Sequence, residues 1–206
     1  MTYLLLIVLW MTWCSIHSAL ITPAVTEWFR RRFPRGFRYY RMLYNLIAAI
    51  SLVPVLLYAF SLRQAPLVTW AGLWAIVPVF LGAAALCFFV AGARRYDALQ
   101  FLGFRQLRDE SACSVLTNDC SLDTGGVLGL VRHPWYSGGM LLVWARPLDT
   151  AAILTNLVVC GYFVVGAFLE ERKLKAHFGR QYAAYQQQVS MFLPIKWVRQ
   201  RFLRHG

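Results

Sequence analysis

Charge is scarce in this chain. Only 15% of its 206 residues are Asp, Glu, Lys or Arg and 59% are hydrophobic, against about 25% and ~45–50% in an average soluble domain. With a mean hydropathy of +0.50, a water-soluble fold of this size would have no polar coat. Acidic residues are scarcer still, nine against 21 basic ones. The resulting net charge of +12 would suggest nucleic acid in a soluble chain, but the aromatics run through apolar stretches rather than along a basic groove, which excludes a nucleic-acid partner. CxxC spacing is absent, so the five cysteines predict neither a disulfide framework nor a zinc site, and no metal is expected. Cys14, Cys87 and Cys160 sit in apolar runs as small hydrophobes, while Cys113 and Cys120 lie in a polar stretch where they could pair, but read as reduced thiols if that stretch is cytosolic. The first apolar run has no basic stretch before it and no small-residue cleavage site, so it does not read as a cleavable signal. No internal repeat or low-complexity tract occurs.

What the chain does have is apolar length. Four uncharged runs, 1–26, 42–62, 64–93 and 150–169, reach the roughly 20 residues that cross a bilayer core. A fifth, 126–145, does so only if it includes Arg132 and His133, and otherwise reads as a short re-entrant or tilted helix. The expected fold is an all-α integral membrane bundle of about five transmembrane helices, at 3–24, 42–62, 67–92, 128–145 and 150–170, with a cytosolic C-terminal helix, in a single domain over 1–206. Pro54 and Pro78 are expected to kink the second and third spans. If all five cross, nineteen basic residues fall on one side and only Arg63 and Arg146 on the other. The positive-inside rule then places the N-terminus outside and the 94–132 connection and C-terminal tail in the cytosol, with a bacterial inner membrane as the expected location. The lipid bilayer is thus the first partner.

Polar groups within a membrane domain need a reason, and the densest set lies at the predicted cytosolic end. Arg132-His133-Pro134-Trp135-Tyr136 follows a glycine-containing turn, and Glu170-Glu171 ends the last span. Glu170, Leu174, Phe178, Tyr182, Tyr185 and Val189 would share an arc of roughly 120° on one continuous helix. That face runs from acid to aromatic and points back toward the Arg-His-Pro segment.

At these residues the chain resembles the isoprenylcysteine carboxyl methyltransferase and phospholipid methyltransferase superfamily. The likeness rests on Thr124, Gly126, Arg132-His133-Pro134 and Tyr136, and then on Glu170-Glu171, Leu174, Phe178-Gly179, Tyr182, Tyr185, Val189 and Pro194, in matching order and spacing. The N-terminal part, through Trp13 to Ser18, Tyr44-Asn45 and the stretch from Asp97 to Gln106, is similar to the nurim and methanethiol S-methyltransferase branch. The resemblance implies methyl transfer from S-adenosylmethionine, bound by a C-terminal half at 94–194, to an apolar small-molecule or lipid-like acceptor arriving from the bilayer. By similarity, the cofactor contacts are Gln106, Cys120, Ser121, Leu122, Asp123, Leu128, His133, Pro134, Trp135, Tyr136 and Glu170.

The residue types suit such a cofactor on chemical grounds. Its adenine needs an apolar or aromatic slot, for which Trp135, Tyr136 and Tyr182 are candidates; its ammonium needs an anion, Glu170; and its carboxylate needs donors, Arg132 or His133. A thiol acceptor must lose a proton, and His17, Asp97 and Glu171 are the candidate groups for that catalytic step. Two departures from the pattern matter. Leu128 stands where the family has Tyr, and Gly166 stands where carboxyl methyltransferases carry an Arg facing the acceptor carboxylate. Leu128 removes a hydroxyl from the cofactor pocket and keeps an apolar wall, while the missing Arg argues against an isoprenylcysteine carboxylate and toward a small apolar thiol or similar acceptor, with isoprenylcysteine O-methylation and phospholipid N-methylation as the alternatives. An NADPH-dependent membrane reductase and a non-enzymatic nurim-like protein are the readings of other classes. Plainer roles also exist: Arg132-His133 as an interfacial turn, Tyr182 and Tyr185 as interface aromatics, and His17 as an interhelical hydrogen-bonding residue.

Overall fold

The computed structural model describes residues 1–95, 102–104 and 122–203. Asp97, Gln106, Cys120 and Ser121 lie outside these. Among the described residues the chain forms α1 (Thr2–Leu20), α2 (Pro23–Arg32), α3 (Tyr40–Ser61), α4 (Ile76–Ala93), α5 (Pro134–Trp144), α6 (Thr150–Phe178), α7 (Arg180–Gln188) and α8 (Ile195–Leu203). The β pairing among them is limited to two isolated bridges, Val68 with Leu148 and Val131 with Ser190. Four stretches, Thr2–Leu20, Pro34–Ser61, Gly72–Ala93 and Thr150–Phe178, are long and apolar enough to cross a membrane. Their outward surfaces carry large apolar side chains such as Leu57, Phe60, Val79 and Leu86, as helices facing hydrocarbon do. The fold is an all-α membrane bundle.

Two of the expected runs are broken by local chemistry. The 3–24 span ends at Leu20, because Thr22 caps a new helix, its side chain accepting from Val25 N at 3.4 Å, and Pro23 occupies the first helical position. The 128–145 run becomes a 3-10 turn, Gly126–Gly129, followed by the 11-residue α5. At ~1.5 Å per residue α5 is about half the hydrocarbon thickness, which is the short form the sequence left open. Pro54 lies inside α3. Pro78 falls in the first turn of α4, where no intrahelical N–H is lost, so its expected kink has no basis.

The chain divides into two compact units, one of Met1–Val68, Asp97–Val115 and Leu148–Val158, the other of Thr69–Tyr96, Leu116–Pro147 and Val159–Gly206. No linker or composition shift marks this division in the sequence. In the first unit α1 and α3 run antiparallel. Tyr58 Oη donates to Thr2 O at 3.2 Å near one end, and the Tyr40 hydroxyl donates to Leu20 O at the other. The buried stripe of α1 is Leu6, Trp10 and Cys14, a helical repeat of four, and Trp10 Nε1 donates to Thr155 Oγ1 at 3.2 Å. Asp149 caps α6 by accepting from Ala152 N at 2.7 Å, and its other oxygen takes Gln64 N at 3.2 Å.

In the second unit α5 packs antiparallel against α4, and glycine permits the closeness. A Cβ on Gly92 would lie 2.2 Å from Trp135 Nε1, one on Gly138 would lie 3.1 Å from Ala85 O, and one on Gly139 would lie 2.7 Å from Phe163 of α6. The short α5 is therefore wedged between α4 and α6 along a face of small residues.

Candidate functional site

The site lies in the second unit, and three local features place its side chains. Gly126 has a φ of 56°, a conformation that favours glycine, and the Arg95 guanidinium fills the space where a side chain would be, its Nη2 lying 2.7 Å from the Cβ position. Asp123 closes the same turn, accepting from Gly125 N at 2.8 Å and from Arg95 Nη1 at 3.5 Å. The Arg132-His133 backbone pairs with the tail, Arg132 N donating to Ser190 O at 2.9 Å and His133 N to Met191 O at 3.1 Å. Ser137 Oγ donates to Phe192 O at 2.8 Å and extends that seam.

The third feature corrects the expectation of one continuous C-terminal helix. α6 stops at Phe178, and Gly179, with φ 54° and ψ −122°, turns the chain into the separate helix α7. Leu174, Tyr182, Tyr185 and Val189 still converge in one buried cluster, with Leu122 and Phe178 packed against it. They meet because the chain folds back at Gly179, rather than because they share one helical stripe.

Behind the site sits a buried polar network. Arg132 Nε donates to Glu171 Oε1 at 2.7 Å and Nη2 to Oε2 at 3.2 Å, while Nη1 donates to Gln186 O and to Val189 O. Four of the five guanidinium N–H groups are thus used. Glu171 also takes Gln186 Nε2 at 2.7 Å and His133 Nε2 at 3.1 Å. Arg132 and Glu171 side chains are 8% and 6% exposed, a burial tolerable only for a paired and fully hydrogen-bonded set. Glu171 lies in the charged end of α6, beyond the uncharged 150–169 stretch. Burial pushes its carboxyl up, but the hydrogen bonds from His133 and Arg132, with the charge of Arg132, outweigh this and hold it at about 2. Burial pushes the Tyr182 and Tyr185 hydroxyls up, so both stay protonated, and Tyr185 Oη donates to Leu128 O at 2.6 Å.

Glu170 is held differently. Its side chain is 32% exposed and its Oε2 lies 3.7 Å from His133 Nδ1. Tyr136 Oη donates to the same oxygen at 3.1 Å. Leu122, Asp123, Leu128, Arg132, His133, Glu170, Leu174, Tyr182 and Tyr185 surround a hollow of about 340 Å³, counting the part open to solvent. Among the described residues, Arg132 is the sole Lys or Arg at its wall, and Glu171 already neutralises it.

Seven of the cofactor-site candidates named from the sequence therefore meet around one hollow, Leu122, Asp123, Leu128, Arg132, His133, Glu170 and Tyr182, together with Leu174 and Tyr185 of the predicted arc. Others stand apart from it. Pro134 opens α5 and is buried. Trp135 packs its indole against Gly92 of α4. Tyr136 is stacked between His133 and Phe163, at 5.3 Å on each side, so both faces of its ring are covered. Glu171 lies behind the wall. His17 belongs to the first unit, where it stacks on Trp13 at 4.9 Å and accepts or donates a hydrogen bond with Tyr44 Oη at 2.6 Å. Sequence reasoning missed Gln186 and Arg95. Gln186 sits in a run of three glutamines that nothing distinguishes, and Arg95 read as one more topological charge. Among the described residues, no three His, Cys, Asp or Glu side chains are grouped to hold a metal ion.

Known proteins are similar to this chain over most of its length. Methanethiol S-methyltransferase 2 of Bradyrhizobium diazoefficiens is 29% identical over 188 residues, covering 90% of this chain and 70% of the relative. Methanethiol S-methyltransferase of Mycobacterium tuberculosis is 29% identical over 187 residues, covering 86% and 72%. A probable protein-S-isoprenylcysteine O-methyltransferase of Oryza sativa subsp. japonica is 41% identical over 82 residues, covering 36% of this chain and 41% of the relative. No solved structure matches the chain. Residues 5–199 match the family described as NnrU protein, and the chain belongs to that family.

Proposed function

We propose that this protein is an S-adenosylmethionine-dependent membrane methyltransferase whose acceptor is a small apolar thiol. The observation that carries the reading is the division of charge at the hollow. Glu170 presents a carboxylate to it, whereas the neighbouring Arg132 is neutralised from behind by Glu171. A hollow with an open acid, an apolar and aromatic wall and no free cation among the described residues suits a cationic, nucleoside-bearing ligand. Glu170, oriented by Tyr136, would hold the ammonium, and Leu122, Leu128, Leu174 and Tyr182 would offer the adenine an apolar wall, with His133 and the Asp123 turn beside them. When bound, S-adenosylmethionine would supply an electrophilic methyl on a cationic sulfonium.

Glu171 is assigned to positioning. A carboxyl held at about 2 by His133, Arg132 and Gln186 is a poor proton acceptor near neutrality. A carboxylate acceptor is disfavoured because Gly166 faces Tyr136, whose Oη lies 3.9 Å from its Cβ position, with no basic side chain in that turn. The lack of a free cation at the hollow among the described residues disfavours a nicotinamide cofactor carrying a 2′-phosphate. The names of the relatives favour the thiol, and the positive-inside count favours a hollow that opens to the cytosol.

The test is methyl transfer by the purified protein in detergent, with labelled S-adenosylmethionine and a panel of short thiols, prenylcysteines and phospholipids. Volatile labelled thioether from the short thiols is expected. Label in prenylcysteine ester or phospholipid alone, or in no acceptor, contradicts the proposal.

A further inference from the structure

We infer that α8 is an interfacial helix that docks on the anionic surface of the bilayer the chain spans. The inference stands independently of the catalytic reading, since it uses residues the site does not. One face of α8 is tied inward. Lys196 Nζ donates to Gln186 O at 2.8 Å, Lys196 N to Ser190 Oγ at 3.0 Å, and Gln200 Nε2 to Gln188 O at 3.2 Å. At ~100° per residue, Ile195, Val198 and Phe202 lie within about 60° of one another on the face turned away from those bonds. They are 65%, 39% and 77% exposed, and Leu193 just before the helix is 56% exposed. A helix whose polar side is hydrogen-bonded to its own protein and whose apolar side is bare has the polarity opposite to that of a soluble tail.

Charge identifies the occupant. α8 contains Lys196, Arg199 and Arg201 and no acid, and Arg199 and Arg201 flank the apolar face on either edge. The Arg201 guanidinium lies 5.2 Å over the Trp197 ring, an aromatic and basic pair of the kind found at headgroup level. The height is also suitable. The segment before α8 is pinned through Ser190, Met191 and Phe192 to the first turn of α5, and His133 there bonds Glu171 at the point where α6 turns from uncharged to charged. α8 therefore starts at the polar boundary of the spans. Anionic phospholipid supplies an apolar layer for Phe202 and phosphates for the arginines, each arginine contributing about a fivefold preference for an anionic surface.

The test uses the full chain in nanodiscs of phosphatidylcholine alone and of an equimolar mixture of phosphatidylcholine and phosphatidylglycerol. An environment-sensitive fluorescent amino acid is placed at position 202, and brominated lipid serves as quencher. Blue-shifted, bromolipid-quenched emission in the mixed discs is expected. In phosphatidylcholine, and in the Arg199→Glu/Arg201→Glu variant, most of that quenching should disappear. Emission of an aqueous probe in both lipids overturns the inference and leaves the face to a protein partner. Equal quenching in both lipids, unchanged in the variant, overturns the anionic preference. Circular dichroism of each variant checks that the fold is retained.

Discussion

Arg132 and Glu171 are each under a tenth exposed, and neither charge is tolerable in that place alone. Arg132→Met strands a carboxylate still bonded to His133 and Gln186, and is expected to destabilise the chain by about 3–5 kcal/mol. The double change Arg132→Met/Glu171→Gln removes both charges and should recover part of that loss. Thermal unfolding in detergent reads this directly, and additive losses would contradict the network as drawn. The same pair sets a pH dependence. Glu171 is held at about 2, below its ordinary 4.5, so its contribution is complete above that ordinary value and is lost as pH falls toward the folded one. The melting midpoint of the unaltered chain should therefore drop between about pH 5 and pH 3. Glu171→Gln should start lower at neutral pH and fall less steeply; parallel curves would assign the acid sensitivity elsewhere.

At the scale of elements, α5 shows what its glycines do. Trp135 occupies the volume a Cβ on Gly92 would need, and both helices are otherwise packed along that seam. Gly92→Ala is expected to cost about 1–3 kcal/mol through overpacking. Combining it with Trp135→Leu should relieve the clash, and a single variant as stable as the parent would show that the α4–α5 spacing is wrong. The existence of the long helices was legible from uncharged length alone. The interruption at Thr22-Pro23 also had its signal, a capping residue followed by proline, but the apolar run continued across it and concealed the break. Gly179 is the instructive case. The 3.6-residue period from Glu170 to Val189 continues through it, so periodicity predicted one helix, whereas the positive φ at Gly179 ends α6 there. The same residues converge for another reason. Gln186 and Arg95 were illegible because their partners, Glu171 and the glycine turn, are distant in sequence.

For the whole molecule, the positive-inside count gives an expected sidedness, on which two local pairings bear. Val68 and Leu148 exchange backbone hydrogen bonds at 3.0 Å, and Trp70 Nε1 donates to Arg146 O at 2.8 Å. The connections that follow Arg63 and Arg146 thus meet each other, as the two poorly basic loops should if they share a side. A C-terminal fluorescent-protein fusion should be bright and a C-terminal alkaline-phosphatase fusion inactive; active phosphatase would invert the topology. What the sequence could make legible of the site was its two motifs, because Arg132-His133 and Glu170-Glu171 are both chemically dense and correctly spaced. Which acid lines the hollow and which one braces its wall required the fold. The measurement closest to the central claim is calorimetric binding of S-adenosylhomocysteine to the detergent-solubilised chain and to Glu170→Gln. Saturable binding that weakens roughly tenfold or more on losing this one charge is expected. Absence of binding at millimolar ligand, or equal affinity in both proteins, would contradict the account.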